Sequence, residues 1–257
     1  MSLRIAIIGG GNVATHFFKS LGEPTVKKIF VRKKEENKHL PQALLSESKD
    51  LRALHLSIII IAVLDDQIIN VLTNYHFHPD QIILHTAGSV DIDVIHQMHP
   101  KSGVIYPLMT MFKEDIIDYE QMPLLIEGSS ESDLLLITRL AESISNRVAY
   151  FDSEERKIVH LAAVIANNFT TSLLLDAVKI LKKNHLDKHL LLPLMKQTIQ
   201  KAFSLGGIKS MTGPAVRNDQ RVIEAQLSLL SHYPETLDLY QFFTHRIKKS
   251  KIDSTDI

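Results

Sequence analysis

The chain opens Leu3-Arg4-Ile5-Ala6-Ile7-Ile8-Gly9-Gly10-Gly11-Asn12-Val13-Ala14, and this stretch decides the fold. An apolar, strand-like run turns through Gly-x-Gly-x-x-Ala into an amphipathic helix, Asn12 to Leu21. Gly9 is placed for the tight turn, and Gly11 lets the backbone approach a pyrophosphate. Ala14 is small enough for the helix to pack closely on the strand. Asn12 and Val13 open a helix whose free N–H groups and positive dipole end favour phosphate. A plain glycine-rich turn is the alternative. The strand before and the helix after favour a dinucleotide-binding turn.

Working outward, strands and helices alternate. Lys28 to Val31 reads as a second strand, and Leu56 to Val63 is a β-branched run without polar alternation, as in a central parallel strand covered on both faces. Further strands are expected at Gln81–His85, Gly103–Tyr106, Pro123–Glu127 and Arg147–Tyr150. Helices are expected from Asp66 to about Leu72 and from Glu131 to Ser143. The alternation predicts an α/β, doubly wound parallel sheet with right-handed crossovers. The texture changes near Phe151, where Ser153 is a candidate N-cap followed by Glu154 and Glu155. Only helical periodicity follows: Arg156–Lys183 as one long helix, then Leu190–Leu205, Arg221–Leu230 and Pro234–Lys249. Gly206-Gly207 ends one of these helices, and the tail Lys248–Ile257 is expected to fray. The expected division is a dinucleotide-binding domain over 1–151 and an all-helical domain over 152–257.

Composition bounds the function. The 257 residues suffice for two domains, and the chain is 45% hydrophobic and 23% charged, as in an ordinary soluble protein. Zero formal net charge gives no global field toward nucleic acid or membrane. There is no cysteine, hence no disulfide, thiolate nucleophile or cysteine metal site, which fits the cytoplasm. No charged-then-apolar leader precedes the first strand, and apolar runs such as Leu56 to Leu64 are too short to span a bilayer. His39, His55, His76 and His78 read as surface residues.

Several positions can carry chemistry. Arg32 lies twenty-one residues past Gly11, followed by Lys33, with no acidic residue before Glu35. An acidic group at this place meets the ribose 2′-hydroxyl of NAD, whereas arginine accommodates the 2′-phosphate of NADP. The pair therefore favours NADP(H), unless it is only a solvated strand end. Ligands of open α/β sheets bind outside the carboxyl ends of the strands. Ala62, Val63 and Asp65 after one strand, and His85 and Thr86 after the next, are thus expected to line the cofactor crevice. Asp65 reads equally well as a helix N-cap, and His85-Thr86 as a capped strand end. On the long helix, His160, Asn167 and Thr171 fall within about 20° of one line at ideal helical spacing. Such a polar stripe suits a substrate cleft, with His160 as proton donor or hydrogen-bond partner and Asn167 positioning; an interhelical hydrogen-bond stripe is the other reading. Thr212-Gly213-Pro214-Ala215-Val216-Arg217-Asn218-Asp219 breaks the helical pattern. There Arg217 and Asp219 can pair with each other or meet a substrate carboxylate, unless the segment is a plain interhelical turn.

The chain resembles the Rossmann-like proteins with a C-terminal DUF2520 domain, assigned as NADP- or F420-dependent oxidoreductases and distantly related to pyrroline-5-carboxylate reductase. The resemblance is carried by Gly9 to Ala14, Val31-Arg32, Ile60 to Asp66, His85 to Gly88, Tyr106-Pro107-Leu108, His160 to Ala163 with Asn167-Asn168, and Thr212 to Asp219. It implies a Rossmann domain followed by a helical domain like that of 6-phosphogluconate dehydrogenase, which commonly forms a homodimer. It adds Tyr106 and Thr212 to Thr171, Arg217 and Asp219 as substrate-side candidates. Two positions depart from the family pattern. Tyr106-Pro107 replaces His-Pro, so an acid–base role there passes to a phenol. Asn218 replaces a glycine, although asparagine tolerates positive φ. The related β-hydroxyacid dehydrogenases place a lysine four residues before the equivalent of Asn167; Ala163 stands here, against 3-hydroxyacid oxidation. The expected function is an NADP(H)-dependent oxidoreductase reducing a small carbonyl or imine, with no nucleic acid, membrane or metal. A non-catalytic NADP(H)-binding sensor is the alternative. A deazaflavin cofactor is disfavoured by Arg32-Lys33.

Overall fold

The structure, a computed structural model, describes residues 3–206 and 208–252, without the side chains of Ile208, Lys251 and Ile252. Gly207 and the tail from residue 253 lie outside the described residues. In chain order the elements are β1 (Ile5–Ile8), α1 (Asn12–Leu21), β2 (Val26–Phe30), β3 (Leu45–Ser46), β4 (Ile58–Ile61), α2 (Ile68–Asn74), β5 (Ile82–His85), α3 (Asp93–His96), β6 (Ser102–Pro107), β7 (Leu124–Gly128), α4 (Glu131–Glu142) and β8 (Val148–Tyr150). Helices follow: α5 (Ser153–Ala163), α6 (Thr170–Lys183), α7 (Leu191–Leu205), α8 (Pro214–Arg217), α9 (Gln220–Leu230) and α10 (Pro234–Ile252). Residues expected to fray, Lys248 to Ile252, thus continue α10. The chain forms two compact units, divided between Ala166 and Asn167.

The first unit carries one sheet in the order β3-β2-β1-β4-β5-β6-β7-β8. β4 is four isoleucines, each fully buried, as a strand covered on both faces requires. Ile5, Ile7, Ile58 and Ile60 pack with Ala14 and Phe17 on one face; Ala6, Ile8, Ile59 and Ile61 pack with Ile68 and Val71 on the other. The pairings are parallel except β6–β7, which is antiparallel and corrects the all-parallel expectation. Between these two strands the chain makes only a short 3-10 turn, Tyr119–Gln121. With no crossover helix to carry it across the sheet, it returns from the edge where β6 ends.

Gly9 has φ +131, and its N–H donates to the Phe30 carbonyl at 2.9 Å. A Cβ there would lie 2.1 Å from the Ala62 carbonyl oxygen, so the turn admits only glycine. Gly11 caps α1 without a side-chain hydrogen bond, and no acidic residue occupies the first turn.

Asp152, not Ser153, caps α5. Its carboxylate accepts from the Glu155 N–H at 2.8 Å, and the Glu155 carboxylate accepts from the Asp152 N–H at 3.2 Å. Ser153 has turned inward, toward Glu127. α5 and α6 are one continuous helix joined by a π-helical segment, Val164–Phe169. By length and composition, though by nothing more, Ser153–Lys183 is apolar enough to cross a bilayer, which corrects the expectation that no run is long enough. In the second unit, α10 packs on α8 and α9. Among its described residues only Ile223 and Leu230 are buried, while Leu192, Ile199, Phe203 and Phe242 are exposed.

Candidate active site

The carboxyl ends of β1, β2, β4, β5 and β6 supply the site. Ala62 and Val63 lie against Gly9, as expected for residues beside the glycine turn. Nothing lies within 4 Å of where a Cβ on Gly11 would stand, so this backbone faces open space. Arg32 and Lys33 divide in role. Lys33 Nζ is 2.7 Å from Glu36 Oε1, whereas Arg32 is exposed and makes no hydrogen bond or ion pair among the described residues. Asn37 Nδ2 donates to the Lys33 carbonyl at 2.8 Å and its Oδ1 rests on Gly10. His39, exposed as expected, sits beside the Gly10 backbone. Partial burial and Lys113 hold it below the usual imidazole range. Neither Asn37 nor His39 was marked as a site residue, because neither belongs to a motif.

Three of the expected site residues converge at the ends of β4–β6. The Tyr106 hydroxyl and His160 Nδ1 are 2.9 Å apart, with their rings edge to face. Gly88 fits beneath both: a Cβ there would be 2.6 Å from His160 Nδ1 and 2.8 Å from Tyr106 Cζ. The next residue, Ser89, donates to Asp65 Oδ2 at 2.6 Å. Asp65 is therefore not a helix cap. It opens a 3-10 turn without a side-chain cap, and its carboxylate turns toward the β5 loop. Burial first, and the Asp65 charge second, raise the Tyr106 hydroxyl above the usual phenol range. Tyr106 thus remains a protonated donor at neutral pH, next to an imidazole able to accept or resupply its proton.

His85 does not face the crevice. It is fully buried, and its Nδ1 accepts from the Ala87 N–H at 3.2 Å, so it caps the strand end. Thr86 is also buried. The alternation of side chains explains this: His85, Val104 and Glu127 form one row across β5, β6 and β7, under the first turn of α5. Burial, with the Arg156 charge second, pushes His85 down from 6.5 to about 3. An unfolded chain takes up this proton as the pH falls below 6.5, while the folded protein does not until about 3, so the stability due to neutral His85 is complete above 6.5 and is lost as the pH falls toward 3. Between pH ~7.5 and ~5 the loss is expected to be about 2 kcal/mol. Urea unfolding checks this against His85→Asn, whose oxygen can still accept from Ala87 but which does not titrate. An equal loss in both proteins would exclude His85 as its source.

Glu127, Ser153 and Arg156 form a buried polar cluster beside this row. Arg156 pairs with Glu127 through Nη1, and its Nη2 donates to the Val90 carbonyl at 2.6 Å. Ser153 N–H and Oγ donate to Glu127 at 3.1 and 2.9 Å. Sequence reading did not mark these residues. An Arg and a Glu in helical or strand runs look like solvated surface, and only their burial shows otherwise.

The second unit holds the other candidates. Asn167 Nδ2 donates to Asn168 Oδ1 at 3.1 Å. Both lie in the π segment, where each residue turns less than the 100° on which the expected His160–Asn167–Thr171 stripe rests, so that periodicity does not hold. Thr171, Thr212 and Arg217 are exposed. Asp219 caps α9, accepting from the Val222 N–H at 3.2 Å, and no Arg217–Asp219 ion pair occurs among the described residues. Asn218 adopts φ 55, the left-handed geometry that asparagine tolerates.

The profile of the family described as Domain of unknown function (DUF2520) matches residues 122–247. A solved structure from Bacteroides fragilis, described as a "putative NADP oxidoreductase", is 31% identical over 96% of this chain and 98% of that one, with a TM-score of 0.85. The chain belongs to the DUF2520 family. Two more distant structures share the fold of this DUF2520 protein. A reductive aminase from Aspergillus terreus, in complex with NADPH and ethyl levulinate, is 12% identical over 99% of this chain and 95% of that one, TM-score 0.75. An imine reductase from Myxococcus stipitatus, in complex with NADP+, is 14% identical over 98% and 96%, TM-score 0.67. No curated protein matches the chain.

Proposed function

We propose that this DUF2520 protein is an NADP(H)-dependent oxidoreductase that reduces a small carbonyl or imine. One observation carries the reading: a half-buried tyrosine–histidine pair stands at the strand ends of the sheet that also bears an open glycine turn. The dinucleotide fits the residues present. The uncapped start of α1 and the open backbone at Gly11 suit its pyrophosphate, and the unpartnered Arg32 suits its 2′-phosphate. The structural neighbours crystallised with NADPH or NADP+ support the same cofactor. When bound, the nicotinamide supplies hydride to the substrate carbon. The protein's part is the proton and the orientation. Tyr106 or His160 hydrogen-bonds the carbonyl oxygen or imine nitrogen and yields a proton, which the other member of the pair replaces. Asn167, Thr171, Thr212 and Arg217 remain substrate-side candidates from the helical unit. The apolar side chains which that unit leaves exposed suit a homodimer, and the cysteine-free composition suits the cytoplasm.

Calorimetric titration with NADPH and NADH tests the cofactor. NADPH is expected to bind more tightly, and Arg32→Ala to weaken NADPH by about 10- to 100-fold, the worth of a charge-assisted hydrogen bond, with NADH nearly unaffected. Binding of neither by the unaltered protein would sink the proposal. Ala163, in place of a proton-transfer lysine, favours a second reading, an NADP(H)-binding sensor. NADPH binding without turnover across a panel of ketones and imines would support it.

A further inference from the structure

We propose that the buried Glu127–Arg156 pair, joined by Ser153, is a positioning clamp that holds His160 against Tyr106. The inference rests on the reading of these two residues as the proton-handling pair. Arg156 is fully buried and Glu127 nearly so. A buried ion pair is a poor device for stability, because well-packed apolar residues of similar volume often do as well or better. This pair also leaves Arg156 Nε without a partner, close to His85, whose Nε2 likewise lacks one. What the cluster does supply is connectivity. Through Arg156 and Ser153 it ties the first turn of α5 to β7 and to the loop after β5: Arg156 Nη2 reaches the Val90 carbonyl, and Ser153 Oγ accepts from the Ile92 N–H at 3.1 Å. Lys157 Nζ adds a contact to Asp91 Oδ2 at 3.1 Å. That loop also carries Gly88 and Ser89, the residues under and beside the Tyr106–His160 pair.

The spacing completes the argument. Glu127 faces Val104 across β6–β7, and Tyr106 lies two residues along on the same face of β6. Two strand residues advance about 6.6 Å. On α5, His160 lies four residues after Arg156, an advance of about 6 Å on the same helix face. Fixing Arg156 at the Glu127–Val104 row therefore sets His160 level with Tyr106. A slip of one helical residue, about 100° around the axis, would carry the imidazole away from the hydroxyl and out of the space that Gly88 leaves for it.

The test uses the full chain without cofactor, labelled with 15N-histidine, and reads the ring nitrogens of His160 by long-range 1H–15N spectra. His160→Gln assigns the signals, and Tyr106→Phe defines where Nδ1 resonates once its hydrogen bond is lost. In Glu127→Met/Arg156→Met, His160 Nδ1 is expected to move to the Tyr106→Phe position, and adding Tyr106→Phe is expected to move it no further. His16, held by the Tyr119 hydroxyl and the Phe112 carbonyl, should stay in place as an internal control. Ser153→Ala keeps the ion pair but removes its link to Ile92, and is expected to give a smaller shift in the same direction. A His160 signal at the wild-type position in either folded variant would overturn the clamp. The spectra decide this whether or not the protein binds NADPH, so failure of the clamp and failure of the proposed function are separate results.

Discussion

His160→Ala is expected to lower turnover by about 10²–10⁴-fold, the usual contribution of a positioned acid or base, while leaving NADPH affinity nearly unchanged. The two effects separate because the glycine turn joins β1 to α1 and Arg32 follows β2, whereas His160 hydrogen-bonds Tyr106, from β6. Single-turnover oxidation of bound NADPH, with a carbonyl or imine found by screening, measures the chemical step directly. Tyr106→Phe should produce a comparable loss if the phenol delivers the proton, and a markedly smaller one if the imidazole does so alone. A fall in NADPH affinity as large as the fall in turnover would mean that His160 contacts the cofactor, and its role as proton donor would have to be given up.

Glu127→Ala is expected to destabilise the protein by about 3–5 kcal/mol, because it leaves the Arg156 guanidinium buried beside a histidine and without a counter-charge. For a chain of this size, each kcal/mol moves the melting temperature by roughly 2–4 °C, so a drop of the order of 10 °C should be visible in a thermal melt. Conversion of both partners to methionine should recover most of the loss, since it removes the charge rather than orphaning it. If Glu127→Ala melted within a degree or two of the unaltered protein, Arg156 must find solvent or another acceptor, and the pair is not the buried unit described above.

The glycine turn, the buried isoleucine strand and the residues at the strand ends were legible because each follows from local chemistry. Gly9 needs a positive φ, Ile58–Ile61 lacks polar alternation, and Asp65 sits where a strand stops, whereas Tyr106 was reached through the family resemblance. What escaped depends on partners distant in sequence. Asp152 and Ser153 are equally good caps by type, and Glu127, on another strand, decides between them by drawing Ser153 inward. His85 closes a strand as Asp65 nearly does, yet the pleat turns it under α5 and not into the crevice. The stripe through His160, Asn167 and Thr171 assumed one helical period, which the π segment breaks, and nothing in that apolar stretch announces a wider turn. The two-residue strand β3 is too short for any periodicity to appear.

The reversed strand β7 has a consequence for how the site forms. Pro107 pairs with Leu124 across a connection about a third as long as the one that lets Ile5 meet Ile58. Short closures cost less chain entropy and are reached sooner in folding. Everything the clamp joins, from Gly88 to His160, comes from one uninterrupted stretch of chain, whereas the glycine turn waits for β1 to find β4. The half of the sheet bearing Tyr106, with the helix bearing His160, is therefore assembled from near neighbours, and it can take shape before the nucleotide half has closed.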